Sequence, residues 1–121
     1  MRSLLLFVAV LATSQACKAN KEQWIEKFIP ATAESFCKPG VYFRECFDID
    51  EAGCLTLARR TLTACVEQHR SEIPKTLDET SGGEAGRTIG ACAGREYEVE
   101  LVGQKKRRDT AKCNDPANWK P

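Results

Sequence analysis

Apolar positions along this chain fall into a few separate patterns, and each predicts a different element. The first is continuous: residues 4–12 are all apolar, with Arg2 before them and the small, polar Thr13-Ser14-Gln15-Ala16 after them. A positive start, a short apolar centre and a small closing residue make a secretory signal peptide with Ala16 at the cleavage position. This stretch is far shorter than the roughly 20 residues that cross a bilayer as a helix, and no later segment approaches that length. The expected organisation is a signal peptide over 1–16 and one cysteine-rich helical domain over 17–121, with 17–21 a tether and 102–121 an irregular tail.

Beyond the tether the pattern becomes periodic. Trp24, Ile25, Phe28 and Ile29 recur at helical spacing, with Glu22, Glu26 and Lys27 on the other side. Pro30 is expected to end or kink that helix, or to open a second short one through Phe36, because proline suits a first turn. Pro39-Gly40 marks a turn. Residues 41–47 are ambiguous between a short helix and an extended piece; Phe43 and Phe47, four apart, favour helix. The clearest signal begins at Asp50, which can cap free backbone N–H groups, with Glu51 complementing the helix dipole. Cys54, Leu55, Ala58, Leu62, Cys65, Val66 and His69 follow at intervals of one, three or four, and predict an amphipathic helix over 51–70 closed by Pro74.

Residues 78–83 read as a polar loop broken by Gly82-Gly83. A second long helix is predicted over 84–101, where Gly86, Gly90 and Gly94 make a smooth face for close approach of another helix. Each interior glycine costs about 1 kcal/mol relative to alanine. Residues 96–101 alternate acidic and apolar like a strand. With no second strand to pair with, the backbone groups of a lone strand would go unsatisfied, so this segment is assigned to the helix. Glu96 and Glu100 then repel mildly.

Cysteine changes the picture more than charge does. Of 18 basic side chains only Arg2 leaves with the signal peptide, so 17 remain against 17 acidic ones. A balanced chain gives no reason to expect a nucleic-acid partner. Cys37, Cys46, Cys54, Cys65, Cys92 and Cys113 form an even set in an exported chain, which predicts three disulfides in one of fifteen pairings. If the helices over 51–70 and 84–101 form an antiparallel hairpin, Cys65 falls opposite Cys92, the favoured bridge. Cys17 is the seventh. Thr-Ser-Gln-Ala-Cys at 13–17 resembles the permissive form of a bacterial lipoprotein signal, over residues 1–17 only. Ser14 stands where leucine is commonest, and Gln15 where a small residue is typical. The resemblance implies acylation of Cys17, which would make it the membrane contact; ordinary cleavage after Ala16 leaves an unmodified thiol instead. Parity favours acylation, since setting Cys17 aside leaves six cysteines to pair.

Candidate chemistry is sparse. His69, the single histidine, lies four residues after Cys65 on one helix face. The pair could ligate zinc or act as thiol and base. Zinc would need two more ligands, and an exported cysteine favours a bridge; His69 is more simply a cation near a helix C-terminus. Asp48, Asp50 and Glu51 resemble a fragment of a calcium loop without its distal glutamate, so they are read as helix-start residues. The serine-hydrolase elbow, zinc-protease, P-loop and dinucleotide motifs do not occur, nor does a glycosylation sequon. No catalytic residue, metal ligand or cofactor is assigned. Lys105-Lys106-Arg107-Arg108 reads as a solvated loop, with an anionic headgroup contact or a protease-sensitive site as alternatives. Cys113 is expected to pin the tail, with Trp119 covering apolar surface.

The expected fold is a small all-α bundle of three to four helices stapled by disulfides. Saposin-like, plant lipid-transfer and insect odorant-binding proteins do not share its cysteine spacing; its general character is similar to that of small exported proteins of Gram-negative bacteria. The expected role is a non-enzymatic envelope protein, periplasmic, envelope-anchored or secreted, that binds another protein or an envelope component. Tyr42, Phe43 and Phe47 could supply the surface, although burial suits side chains so apolar better. Alternatives are a carrier of a small apolar ligand between the helices, or an enzyme using Cys65 and His69.

Overall fold

A computed structural model describes residues 18–119. Cys17 and the signal peptide assigned to 1–16 lie outside them.

Three long helices carry the fold: α1 (Lys21–Phe36), α3 (Glu51–Gln68) and α4 (Glu79–Gly103). Two four-residue helices, α2 (Tyr42–Glu45) and α5 (Ala111–Asn114), shape a corner and the tail. The small all-α, disulfide-stapled fold is the expected one. Helix α3 lies between the others and packs along both. Cross-links fix the directions. Between α3 and α4, Cys65 bonds Cys92 and Arg60 pairs with Glu100. Between α1 and α3, Cys37 bonds Cys54 and Glu22 meets Arg70. In each case rising numbers on one helix meet falling numbers on the other, so neighbours along the bundle are antiparallel.

Side-chain caps explain where the helices begin. Asn20 accepts a hydrogen bond from Gln23 N at 2.8 Å, and Asp50 accepts one from Gly53 N at 2.7 Å. Asp78 and Ser81 form a reciprocal capping box. That box corrects the expected loop over 78–83: α4 starts at Glu79, and Gly82 and Gly83 lie inside it. Asp78 is also held below the usual carboxylate range by its hydrogen bonds to Ser81. The expected break at Pro30 does not occur either, because α1 runs unbroken through it. The carbonyl deprived of a partner is that of Glu26, an exposed residue at which water can serve. At the expected tether, Ala19–Asn20 instead pairs antiparallel with Thr76–Leu77 as a two-stranded ribbon, β1 and β2.

The glycines of α4 have unequal jobs. Gly82 and Gly86 lie against the stacked rings of Trp24 and Phe28, whose centroids are 4.5 Å apart; an added Cβ would stand 3.1 and 3.2 Å from them. At Gly94 it would stand 2.9 Å from the Phe43 ring. Gly90 faces open space. The smooth face thus receives aromatic rings rather than a helix backbone, and only part of the stripe is used.

The core is continuous, running from Ile25, Ala33 and Phe36 through Leu57, Ala58, Leu62 and Val66 to Ile89, Ala93, Tyr97 and Leu101. Gly90→Ala is expected to stabilise the protein by about 0.5–1 kcal/mol through helix propensity. Gly94→Ala should destabilise it by about 1–3 kcal/mol, because overpacking against Phe43 exceeds that gain. Urea unfolding with the disulfides intact measures both; equal shifts at the two positions would contradict the packing described.

Candidate functional site

Two regions gather the side chains that sequence chemistry singled out, an aromatic corner and the tail that crosses it; a third region is the outer groove of the α3–α4 hairpin.

The corner forms because Gly40, at φ +83°, turns the chain from α1 into α2. Phe36 stacks on Phe43 at 4.5 Å between centroids, and Phe43 and Phe47 meet the edge of Tyr97 at 5.2 and 5.6 Å. Phe47 and Tyr97 are fully buried, and Phe43 is half-buried. Tyr97 donates its hydroxyl to Phe43 O at 2.6 Å and lies 3.3 Å from Cys54 Sγ. Burial pushes its pKa up to about 12 despite an opposing pull from Arg44. Half-buried Tyr42 lies at the rim. It donates to Glu98 Oε1 at 2.6 Å and accepts from Arg107 Nε at 3.4 Å. Burial chiefly, then the Glu98 carboxylate, raises its pKa, with Arg107 opposing. The cluster considered as a binding surface is therefore mostly core, and its rings fill the space that an enclosed apolar ligand would need.

Over the corner runs the tail. Cys46 bonds Cys113, Asp48 N donates to Lys106 O at 2.7 Å, and Arg108 N donates to Cys46 O at 2.8 Å. Arg107 forms an isolated bridge with Phe47 and donates to Asn114 Oδ1 at 2.9 Å and Cys113 O at 3.1 Å. The basic run is thus not one solvated patch. Lys105, Lys106 and Arg108 are exposed, whereas Arg107 is a partly enclosed junction between corner and tail. Trp119 packs edge-on against Tyr42 and donates its indole N–H to Lys112 O at 3.1 Å.

The Cys65–His69 pair does not come together as a thiol–imidazole unit. Cys65 is bonded to Cys92, so its sulfur is neither nucleophile nor ligand, while His69 caps α3 and its Nδ1 contacts the Glu72 carboxylate. The carboxylates near 50 separate too: Asp50 caps α3, and Asp48 lies 3.7 Å from Arg108. Among the described residues no group of three or more histidine, cysteine or acidic side chains is placed to hold a metal ion.

Sequence reasoning overlooked the outer groove between α3 and α4. It has a volume of about 360 Å3, and Arg60, Thr61, Cys65, Glu96, Val99 and Glu100 are among the residues that line it. Val99 is 67% exposed and Val102 48%, the two large apolar side chains most open to water among the described residues. An ion pair between Arg60 and Glu100 crosses the groove beside them. The signal was available: with α4 helical through residue 103, Leu101 turns inward and Val99 and Val102 turn outward. A second groove, of about 300 Å3, lies at the other end of the hairpin between His69, Glu72, Pro74, Glu84 and Thr88.

Residues 18–105 match the family model described as T2SS substrate NttA. Neither the curated proteins nor the solved structures contain a significant match to this chain.

Tyr97→Phe should cost about 1–3 kcal/mol at neutral pH by leaving Phe43 O without its donor. The neutral phenol is the form that folding favours, since the folded pKa lies above the usual 10. Its contribution is whole below pH 10 and is lost as pH rises toward 12, where the native residue ionises. The stability gap between the two proteins should therefore narrow over that window. Absorbance at 295 nm follows the ionisation, and a Tyr97 that titrates near 10 in the folded protein would contradict the burial described.

Proposed function

The chain belongs to the NttA family of type II secretion substrates, an exported family, and from that premise we propose that it is a non-enzymatic binding protein acting on another protein or envelope component outside the cytoplasm. The observation that carries this reading is the pair Val99 and Val102, exposed beside a groove whose walls carry Arg60, Glu96 and Glu100. Apolar side chains ringed by charges of both signs are the composition of a protein contact patch rather than of a lipid-seeking surface. Each valine buried by a partner would contribute about 1.5–3 kcal/mol at most.

Two competing roles gain less support. A thiol- or zinc-dependent reaction at Cys65 and His69 would need a sulfur that is tied to Cys92. A carrier of an apolar ligand would need space among aromatics that instead pack against one another at 4.5–6.1 Å. Membership of a secretion-substrate family also favours release as the end point over retention at the envelope, so Cys17 is proposed to begin the mature chain unacylated.

Val99→Glu with Val102→Glu should leave the melting temperature within a few degrees of the parent, as surface changes do. A photo-crosslinker at position 99 should yield a defined adduct in the native extracellular milieu, one that the double substitution abolishes and that a crosslinker at Thr63 does not form. Equal labelling at 99 and 63, or none at 99, would refute the docking face. Intact mass of the exported protein checks the processing: a chain starting at Cys17 with no acyl chains is expected, and an acyl increment would place the protein in the envelope.

A further inference from the structure

Residues 105–119 lie across the aromatic corner with little apolar grip of their own. Residues 108–112 and 114–118 are exposed, and beyond the partly enclosed Arg107 only Cys113 and Trp119 turn inward. The two helical pieces in this stretch, Ala111–Asn114 and Pro116–Trp119, are four residues each, too short to persist unsupported. The segment is held by the Arg107 junction, the backbone hydrogen bonds of Lys106 and Arg108 to Asp48 and Cys46, the Lys112–Glu45 ion pair at 2.7 Å, the Trp119–Tyr42 contact and the Cys46–Cys113 bond.

Lys112 satisfies Glu45 Oε1, whereas Glu45 Oε2 is buried with no hydrogen-bond partner among the described residues. The other two bridges join α1 to α3 and α3 to α4, within the long-helix bundle. Cys46–Cys113 is the bond that ties this segment to the rest. Beside it lies an open groove of about 320 Å3 lined by Tyr42, Arg107, Cys113, Asn114, Pro116 and Trp119. Cys113 is also the most exposed of the six half-cystines, at 6%.

We propose that residues 105–119 form a redox-released strap: reduction of Cys46–Cys113 frees it and uncovers Tyr42 and Phe47, while the helical bundle persists on its two remaining bridges. The reductant is a small or protein dithiol. One of its thiolates attacks Cys113 Sγ, the Cys46–Cys113 bond breaks, and Cys46 leaves as a thiolate that takes up a proton. The second thiol, as thiolate, attacks the mixed disulfide; the reductant closes to its own disulfide and Cys113 departs and is protonated. Two electrons pass from the dithiol to the protein, and the product has two thiols at 46 and 113. The uncovered corner presents Tyr42 and Phe47 with Glu45 and Glu98 at its edge, a surface absent while the strap is shut.

Limiting dithiothreitol on the full oxidised chain, quenched with iodoacetamide and mapped by peptide mass, tests the order of reduction. Cys46 and Cys113 should be alkylated at least about tenfold faster than Cys37, Cys54, Cys65 and Cys92, since local opening precedes global unfolding. Hydrogen exchange on that intermediate should accelerate about tenfold or more across residues 105–119 and 42–48, with the centres of α3 and α4 unchanged. Cys46→Ala/Cys113→Ala should reproduce the exchange pattern without reductant. Earlier alkylation of another pair, retained protection in residues 105–119, or simultaneous loss of protection throughout the bundle would each overturn the proposal.

Discussion

Covalent sulfur holds this bundle in register. Three bridges close loops of 17, 27 and 67 residues, and loop-closure entropy assigns them about 3 kcal/mol for the shortest and about 4 kcal/mol for the longest. The net stability of a small domain is commonly 5–15 kcal/mol, so such links are comparable with the whole margin. Their placement matters as much as their number. Cys37–Cys54 brings the end of α1 to the start of α3, Cys65–Cys92 joins the two arms of the hairpin, and Cys46–Cys113 returns the tail to the corner. Helices carrying Gly82, Gly83, Gly86, Gly90 and Gly94 on one arm, and a proline within another, lose propensity at about 1 kcal/mol per glycine and more for the proline. With the chain already tied, aromatic rings fill the space left at Gly82, Gly86 and Gly94.

This division of labour explains the corner. Tyr97 comes from α4, Phe36 from α1, and Phe43 and Phe47 from the segment between Cys37 and Cys54. Edge-to-face contacts of this kind add about 0.5–1.5 kcal/mol each beyond burial. They require the three segments to arrive at one place, which the bridges ensure. The single buried hydroxyl there, that of Tyr97, is satisfied by a backbone carbonyl. Reactive-looking groups elsewhere are similarly committed: Cys65 to Cys92, His69 to Glu72, Arg107 to the tail. The outward-facing features are instead two valines, the groove beside them and the segment that crosses the corner.

Much of the architecture was legible in the pattern of residues. The 3–4 spacing from Cys54 to Val66 located α3, and placing Cys65 opposite Cys92 followed from treating two helices as a hairpin. The readings that missed did so where a local rule lost to a neighbour. Gly82-Gly83 signals a break when only chain flexibility is weighed, yet the Asp78–Ser81 box starts the helix before it and the Trp24 ring occupies the space the glycine leaves. Pro30 should interrupt α1 by the same local logic, but both ends of that helix are anchored, at Asn20 and at Cys37. Ala19–Asn20 pairs with Thr76–Leu77, Ala19 opposite Leu77 and Asn20 opposite Thr76, a contact that neither two-residue segment announces. The exposed valines were hidden by an alternating acidic pattern that only a helix extended through residue 103 resolves, and the role of Arg107 depends on a tail whose path no periodicity marks.

The fold depends on one pairing of six cysteines among fifteen. Non-reducing proteolysis of the exported protein, followed by mass identification of linked peptides, reads that pairing directly. It should return Cys37 with Cys54, Cys46 with Cys113 and Cys65 with Cys92. Recovery of any other linkage as the major species, or of these six cysteines as free thiols, would contradict the fold's central constraint.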